Sequence, residues 1–514
     1  MTKPLKVVIV GGGTSGWMCA AALGSQGRAR TPGQAALCEV RLVESAEIGT
    51  VGVGEATLPH IKEFNDYLGI DEAEFMRETK ASFKLGIQFD DWGKKGNSYV
   101  HPFGAFGQPL AGVEFQHYWT RARKEGIDLS LEACSYAVQA ARHMKFDFPS
   151  EDKKSIKSTY SYAYHFDAGL YAAYLRRHAE ARGVKRTEGK VVGAALRPAD
   201  GHIQSITLES GEVIEGDLFV DCSGFRGLLI GEQLKSPWED WSRWLPCDRA
   251  WAVPSARVEP FTPYTWLTAR EAGWQWRIPL QHRTGNGHVF STGFISEDVA
   301  RQTLLDNLDG PPLAEPRLLK FKAGRRTSSW LKNCVTIGLS SGFLEPLEST
   351  SIYLIQVAVI NLMQLLPGQD MDPRLAGEFN RLTDIEYERV RDFLILHYHA
   401  NTRDEALWDY TRNMSVPDSL SYKIEQFKHR GHIVKYRDGL FNPASWLAVL
   451  AGQDIVPSAY DRMADNMPVA RMSQELSDLT GRIRAGVDAM PVHADFVRDY
   501  TYVAGAKALQ SAAT

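Results

Sequence analysis

The chain has 514 residues, of which 44% are hydrophobic and 23% are charged, a composition typical of globular proteins with a large core. Its formal net charge of -4 argues against a nucleic-acid partner, because proteins that bind nucleic acids usually carry basic surfaces. No stretch stays apolar for the ~20 residues of a membrane span, and no signal peptide is visible. We therefore expect a cytoplasmic protein, a monomer or a homodimer, that acts on small molecules.

The six cysteines show no metal or disulfide signature. They are scattered singly along the chain, with neither a CxxC pair nor a neighbouring pair of histidines, the spacings that indicate zinc sites and small disulfide frameworks. We therefore expect reduced, mostly buried thiols and no bound metal ion.

The N-terminal segment contains the pattern of a dinucleotide-binding turn. An apolar strand at residues 7–10 leads directly into Gly11, Gly13 and Gly16, which form a GxGxxG motif, and a helix of small residues follows. Glycine is needed there because the turn is tight, the backbone approaches a pyrophosphate closely, and the helix N-terminus points free N–H groups at the anion. A glycine-rich turn without a ligand is the alternative interpretation.

Further segments favour FAD over NAD as the ligand of this turn. A second strand, residues 39–43, ends at Glu44, an acid placed to bind a ribose hydroxyl. Apolar strands at 216–222 and 335–339 also end in small residues, and such late returns suit the extended FAD molecule. Residues 52–57 supply a loop whose backbone can lie against a flat ring, with an ordinary surface loop as the alternative. The residues expected to contact the cofactor are Gly11, Gly13, Thr14, Ser15, Gly16, Glu44, Gly54, Glu55, Ala56, Val191, Leu339 and Ile352.

Residues 273–279 read Gly-Trp-Gln-Trp-Arg-Ile-Pro and therefore contain a WxWxIP motif. In a strand, Trp274, Trp276 and Ile278 face the same side because side chains alternate with a period of two. They would form an apolar wall that Pro279 terminates. A plain core strand is the alternative.

Residues 81–89 alternate between apolar and polar side chains. The period of two predicts a strand with Phe83 and Leu85 on one face and Lys84 and Gly86 on the other. Lys84 therefore points away from the apolar face. From the pattern alone, an exposed lysine on an edge strand is the simpler interpretation.

A third motif, residues 345–351, precedes an apolar helix predicted over 352–366. Ser349 or Thr350 is a natural cap for this helix. The uncapped N–H groups and the positive end of the helix dipole suit a small anion such as a halide. Glu348 would lie beside that site, although a carboxylate that merely stabilises the first turn is the alternative.

These motifs together resemble those of the flavin-dependent tryptophan halogenases, from the first strand to about residue 400. The resemblance implies an α/β fold of the FAD-binding GxGxxG type, like that of glutathione reductase and the flavin monooxygenases. It implies an FAD-binding body over 1–365, with a substrate-facing insertion at about 85–150. A mostly helical substrate region over 366–514 would pack with that body as one compact unit.

The resemblance also implies roles for individual residues. FADH2 from a separate reductase reacts with oxygen to give a flavin hydroperoxide, which converts chloride or bromide to hypohalous acid. Lys84 holds this acid by a hydrogen bond, or carries the halogen as a haloamine, and Glu348 works with it, by stabilising the cationic ring or taking its proton. Thr350 and Ser351 bind the halide, and Trp274 and Trp276 separate the substrate from the flavin.

The C-terminal region departs from the family pattern. Halogenases that act on free tryptophan carry Tyr-Tyr and Phe-Trp pairs, and residues 432–442 contain neither. His101 and Phe103 do match the two side chains that sandwich the substrate ring, with loop aromatics packed on the core as the alternative. We therefore expect a small electron-rich, indole-like substrate. Ser351 stands where the family usually has glycine, which leads us to expect a preference for bromide.

Two rival functions belong to other classes. An FAD-dependent aromatic monooxygenase shares the GxGxxG motif, but it has no need for Lys84, the WxWxIP motif and the anion-binding helix start together. A flavin-binding interaction protein without catalysis has no need to retain both Lys84 and Glu348.

Overall fold

The computed structural model describes residues 3–27, 36–48 and 54–511. In chain order its strands are β1 (Leu5–Val10), β2 (Cys38–Glu44), β3 (Gly54–Ala56), β4 (Ser82–Lys84), β5 (Gly86–Asp90), β6 (Ser98–Pro102), β7 (Ala163–Asp167), β8 (Lys185–Glu188), β9 (Val191–Leu196), β10 (Ile203–Leu208) and β11 (Val213–Glu215). They continue with β12 (Leu218–Asp221), β13 (Trp238–Asp240), β14 (Arg249–Ser255), β15 (Thr265–Arg270), β16 (Gly273–Pro279), β17 (Thr284–Phe290), β18 (Arg317–Lys320), β19 (Gly324–Arg326), β20 (Trp330–Leu331), β21 (Cys334–Thr336) and β22 (Gly342–Phe343).

The α-helices of the described residues are α1 (Thr14–Gln26), α2 (His60–Leu68), α3 (Glu72–Glu78), α4 (Phe115–Lys124), α5 (Tyr136–Arg142), α6 (Ala168–Glu180), α7 (Glu297–Asp306), α8 (Thr350–Gln364), α9 (Pro373–His399), α10 (Ala406–Asn413), α11 (Asp418–Arg430), α12 (Pro443–Gly452), α13 (Val469–Asp488) and α14 (His493–Ser511). Short 3-10 turns at Gly338–Ser340 and Pro346–Glu348 lie close to the site described below.

A six-stranded sheet in the order β20-β21-β12-β1-β2-β8 forms the dinucleotide-binding layer. Strand β1 pairs in parallel with both β2 and β12, so the carboxyl ends of all three strands meet at one edge. Ligands of open α/β sheets bind outside such an edge. The strand predicted before the GxGxxG motif is confirmed as β1, and the strand predicted to lead to Glu44 is confirmed as β2.

A seven-stranded sheet in the order β18-β14-β17-β16-β15-β5-β6 forms the second layer. The WxWxIP segment is strand β16, between β15 and β17, and every one of its residues is buried. A small sheet, β3-β7-β4, adjoins it. The described part of the predicted loop 52–57 is thus a strand that pairs with β7; residues 52 and 53 lie outside the described residues.

The strand predicted over residues 81–89 is wrong as a single element. Strand β4 pairs with β7 in the small sheet, whereas β5 pairs with β15 and β6 in the large sheet. Leu85 separates them, because its N–H donates to the carbonyl of Pro263 and its own carbonyl accepts from Phe103. Both faces of this segment are buried, so the alternation does not mark an exposed side.

Helices dominate the C-terminal part. After Phe343 the described residues contain α8 to α14 and no further strand, as a mostly helical substrate region requires. Its longest helix is α9, which begins at Pro373 and spans 27 residues. The boundary at about residue 365 and the insertion at about 85–150 stay predictions. Within the described residues, no helix has the length and apolar character needed to cross a membrane.

Two glycines of the first turn differ sharply in the space around them. A Cβ atom on Gly16 would lie 1.9 Å from the carbonyl oxygen of Gly11, whereas a Cβ on Gly13 would meet no atom within 4 Å. We expect Gly16→Ala to destabilise the fold by about 2 kcal/mol, because the backbone of the turn would have to move to make room for the methyl group. Thermal unfolding measures the effect, and Gly13→Ala is the matched control. Equal midpoints for the two variants would contradict this packing.

Candidate active site

The turn after β1 fits a pyrophosphate. Gly11 has a φ of +114°, and a Cβ there would lie 2.2 Å from the carbonyl oxygen of Cys222, so only glycine suits this approach. The first turn of α1, which includes Thr14 and Ser15, contains no acidic residue, and Gly13 provides no capping side chain. The free N–H groups of the helix start are therefore available to an anion.

The neighbouring elements surround this turn as FAD binding requires. Glu44 is the last residue of β2, and its carboxylate pairs with Arg186 at 2.5 Å and accepts a hydrogen bond from Trp17 at 3.3 Å. Val191, at the start of β9, is buried in the same cluster as residues of β1 and β2. Leu339 lies in the turn Gly338–Ser340, and that turn faces the start of α1. Their contacts with the cofactor stay predictions.

Strand β3 lies against the WxWxIP strand. A Cβ on Gly54 would be 3.3 Å from Cγ2 of Ile278, which places Gly54, Glu55 and Ala56 beside the predicted wall. Burial raises the pKa of Glu55 to about 7.

Buried hydrogen bonds fix the first tryptophan of this wall. Trp274 is fully buried, and its Nε1 donates to Oε2 of Glu345 and to the hydroxyl of Tyr398, both at 3.0 Å. Its ring lies 6.0 Å from that of Trp276. Burial raises the pKa of Glu345 to about 7. The wall is therefore held by a buried polar cluster whose members lie in three segments far apart in the chain.

Lys84 is completely buried, which overturns its interpretation as an exposed edge-strand lysine. Its Nζ donates to the Thr57 carbonyl at 3.0 Å and to the Ser349 hydroxyl at 2.8 Å. The same nitrogen lies 5.0 Å from the centre of the Phe103 ring. Burial lowers the pKa of Lys84 to about 7, although the charge of Glu348 acts in the opposite direction. The amine can therefore be charged or neutral near neutral pH.

Glu348 is also fully buried, between two histidines. Its Oε2 lies 2.8 Å from Nδ1 of His101, and its Oε1 lies 2.7 Å from Nε2 of His397. Burial by itself would raise the pKa of this carboxyl, but the charges and hydrogen bonds of the two histidines lower it to about 2. Glu348 is thus an anion near neutral pH, and it does not act as a capping carboxylate at the surface.

The start of α8 has the features of an anion site. Ser349 precedes the helix with a left-handed φ of 58°, and its side chain does not cap the helix; it binds Lys84 instead. The predicted capping role of Ser349 is therefore wrong, as is that of Thr350, which is the first helical residue. The buried Thr350 hydroxyl oxygen has no hydrogen-bond partner among the described residues. Ser351 is half-buried and Ile352 is buried in the same turn.

A cleft of about 660 Å³ opens beside Lys84, within the size range of small-molecule sites. His101 and Phe103 line it, together with the segment around Leu440 and Phe441. The acidic side chains among its described lining residues are Glu63 and Glu114, its histidines are His60 and His101, and no lysine or arginine is among them.

Several site residues have no signal in the sequence. His397 lies in the last turn of α9 and contacts Glu348, and Phe441 stacks on Phe393 with ring centres 3.8 Å apart. Phe441 also lies 6.2 Å from the ring of His101. These contacts join segments far apart in the chain, so no local pattern indicates them.

The fold and this geometry define the class of protein: an FAD-binding α/β enzyme with a buried lysine, a buried carboxylate and an adjoining anion site. The sequence matches the tryptophan halogenase family over residues 6–469, and the chain belongs to that family.

Relatives and solved structures agree with this assignment. The tryptophan 6-halogenase SttH of Streptomyces toxytricini is 36% identical, over 95% of this chain and 97% of its own length. The fold matches that of BrvH, a flavin-dependent halogenase from Brevundimonas sp. BAL3, with a TM-score of 0.92, 46% identity, and coverage of 97% and 99% of the two chains. Xcc4156, a flavin-dependent halogenase from Xanthomonas campestris, gives a TM-score of 0.92, 44% identity and the same coverage.

The protein is therefore a flavin-dependent halogenase, an enzyme that uses FADH2 and a halide ion. The glycine turn before α1 and the unpartnered Thr350 hydroxyl at the start of α8 fit these two ligands.

Replacing Lys84 by methionine should stabilise the protein in a pH-dependent way. Below about pH 7 the folded protein bears the full cost of a buried ammonium group, because the pKa of Lys84 is lowered from 10.5 to about 7. Between about pH 7 and pH 10.5 this cost falls toward zero, because the amine is already neutral in the folded protein. We expect Lys84→Met to raise the unfolding temperature more at about pH 6 than at about pH 9.

Differential scanning calorimetry measures this effect. Lys80→Met is the matched control, because Lys80 is exposed four residues away, and it should change little at either pH. A Lys84→Met protein that unfolds at a lower temperature at about pH 6 than wild type would contradict the burial cost.

Proposed function

We propose that this halogenase transfers an electrophilic halogen to a small, uncharged, indole-like ring, with Lys84 as the residue that delivers the halogen. The observation that carries the proposal is the position of Lys84 Nζ. It contacts Ser349 at the start of α8 on one side and lies 5.0 Å from the Phe103 ring of the cleft on the other. A group held there can receive hypohalous acid from the halide side and present it to a ring in the cleft.

When bound, FADH2 would activate oxygen by reducing it, and the reduced oxygen would oxidise halide to hypohalous acid. The protein contributes position and charge. Thr350 and Ser351 hold the halide at the start of α8, where free N–H groups and the helix dipole favour an anion. Trp274 and Trp276 keep the aromatic substrate apart from the flavin, so that the ring meets only the halogen that Lys84 delivers.

Lys84 can deliver the halogen in either of two forms. As an ammonium group it donates a hydrogen bond that polarises hypohalous acid, and as a neutral amine it forms a haloamine. A pKa of about 7 for Lys84 makes both forms accessible. Glu348 supplies the negative charge that stabilises the cationic ring intermediate, because it stays ionised in the dry interior.

The residues that line the cleft favour an uncharged substrate. Free tryptophan carries a carboxylate, and no lysine or arginine lines the described part of the cleft to bind it. Glu63 and Glu114 would repel that carboxylate and could pair only with the ammonium group of the amino acid, so the carboxylate would stay unpaired. His101 and Phe103 remain as the aromatic side chains that hold a flat ring.

Halogenases of this class generally work with a separate flavin reductase and act on aromatic substrates. We propose the same two-component arrangement here, in the cytoplasm, since the chain contains a single GxGxxG fingerprint and its six cysteines are free and buried.

The test supplies FAD, NADH, any flavin reductase and bromide, and compares indole with tryptophan by mass spectrometry. We expect brominated indole at a much higher kcat/KM than brominated tryptophan, and a loss of about 1000-fold in Lys84→Met. Lys80→Met is the control and should keep full activity, because Lys80 is exposed.

Three outcomes would contradict the proposal. An oxygenated, halide-independent product would indicate a monooxygenase. Undiminished halogenation in Lys84→Met would remove the role of that residue. A higher kcat/KM for tryptophan than for indole would overturn the argument from the cleft lining.

Glu63→Lys should improve the turnover of tryptophan, because it adds a cation to the lining of the cleft.

We also propose a preference for bromide, because Ser351 adds a side chain where the family usually has glycine. In a competition with equal chloride and bromide, the wild type should give mainly brominated product. Ser351→Gly should shift the ratio of products toward chloride, because it removes that side chain from the first turn of α8. Mainly chlorinated product from the wild type would show that the preference is wrong.

A further inference from the structure

We propose that His101, and not Glu348, removes the proton from the halogenated ring, with Glu348 as the charged partner that orients His101. The inference rests on the proposed electrophilic substitution and assigns its final proton transfer. It goes beyond ring stacking, the role that the resemblance gives to His101.

Glu348 has no free access to the substrate. It is completely buried and does not line the cleft. One carboxylate oxygen contacts His101 at 2.8 Å and the other contacts His397 at 2.7 Å. A ring in the cleft can therefore reach the carboxylate only through an imidazole.

The second histidine keeps Glu348 charged. Nδ1 of His397 lies 2.8 Å from the carbonyl oxygen of Phe393, and because a carbonyl only accepts, this nitrogen carries a hydrogen. Its Nε2 lies 2.7 Å from Oε1 of Glu348, so an imidazole flanks each oxygen of the carboxylate. The two histidines lower the pKa of Glu348 to about 2, and a carboxylate with so low a pKa is a poor base near neutral pH.

His101 has the geometry of a general base. Its Nδ1 donates to Glu348 at 2.8 Å, so in the neutral ring Nε2 carries the lone pair. His101 lines the cleft, and the contact of its ring with Glu348 uses Nδ1. The rings of Phe393 and Phe441, centred 5.7 and 6.2 Å away, hold the imidazole in place. A buried carboxylate that orients an imidazole toward a substrate is a common arrangement for proton transfer.

The proposed step balances. The ring attacks the halogen of hypohalous acid, a carbon–halogen bond forms, and hydroxide leaves. The C–H bond at the same carbon then breaks, its electron pair returns to the ring, and the proton passes to Nε2 of His101. Glu348 stabilises the imidazolium until the proton is released through the cleft and joins hydroxide as water. No further oxidant is needed.

The experiment compares the wild type with His101→Gln and Glu348→Gln, using indole and indole deuterated at the carbon that becomes brominated. The glutamine at 101 can still donate to Glu348 but is not a base, and His101→Phe keeps the flat ring as a second variant. We expect both His101 variants to lose about 100-fold in kcat, with KM within about 3-fold of wild type. They should also show a primary deuterium isotope effect that the wild type lacks, because proton removal becomes rate-limiting.

Added imidazole should restore part of the activity of His101→Ala, since the small base can enter the vacated space, and should not restore Glu348→Gln. The inference is overturned if the His101 variants keep kcat or change only KM, or if Glu348→Gln alone shows the isotope effect. A wild type that forms no halogenated indole would instead contradict the proposed function, so the two failures are distinguishable.

Discussion

The burial of two ionisable groups, the amine of Lys84 and the carboxylate of Glu348, is the constraint on which the rest of the site depends. A charge inside a protein is tolerated only when it is paired and hydrogen-bonded. Lys84 therefore needs Thr57 and Ser349, and Glu348 needs His101 and His397. Strands β4 and β6, the start of α8 and the end of α9 must all meet at this point.

The same constraint explains the local strain at the start of α8. Ser349 has a left-handed φ of 58°, which a residue other than glycine seldom adopts. That conformation turns its hydroxyl toward Lys84 and leaves the helix uncapped. One strained residue thus links the lysine to the uncapped helix start, where we propose that the halide binds.

Local sequence patterns predicted the elements whose geometry is local. The GxGxxG turn between β1 and α1, the strand that ends at Glu44 and the wall strand β16 all follow from spacing and side-chain period. The alternation around Lys84 wrongly predicted an exposed side chain. Alternation places a polar residue on the strand face opposite the apolar side chains, but it does not show whether that face is exposed to solvent. Both faces are buried there, and Leu85 divides the segment between two sheets.

By itself, the sequence determined the FAD-binding turn, and the resemblance of its motifs to those of the tryptophan halogenases indicated the family and the candidate residues Lys84 and Glu348, because each motif lies within one segment. Only the tertiary structure decided that Lys84 is fully buried, that Ser349 binds it rather than capping a helix, and that His397 and His101 bracket Glu348. These facts depend on contacts between residues up to 265 positions apart, and a pattern within one segment contains no information about which distant segment packs against it.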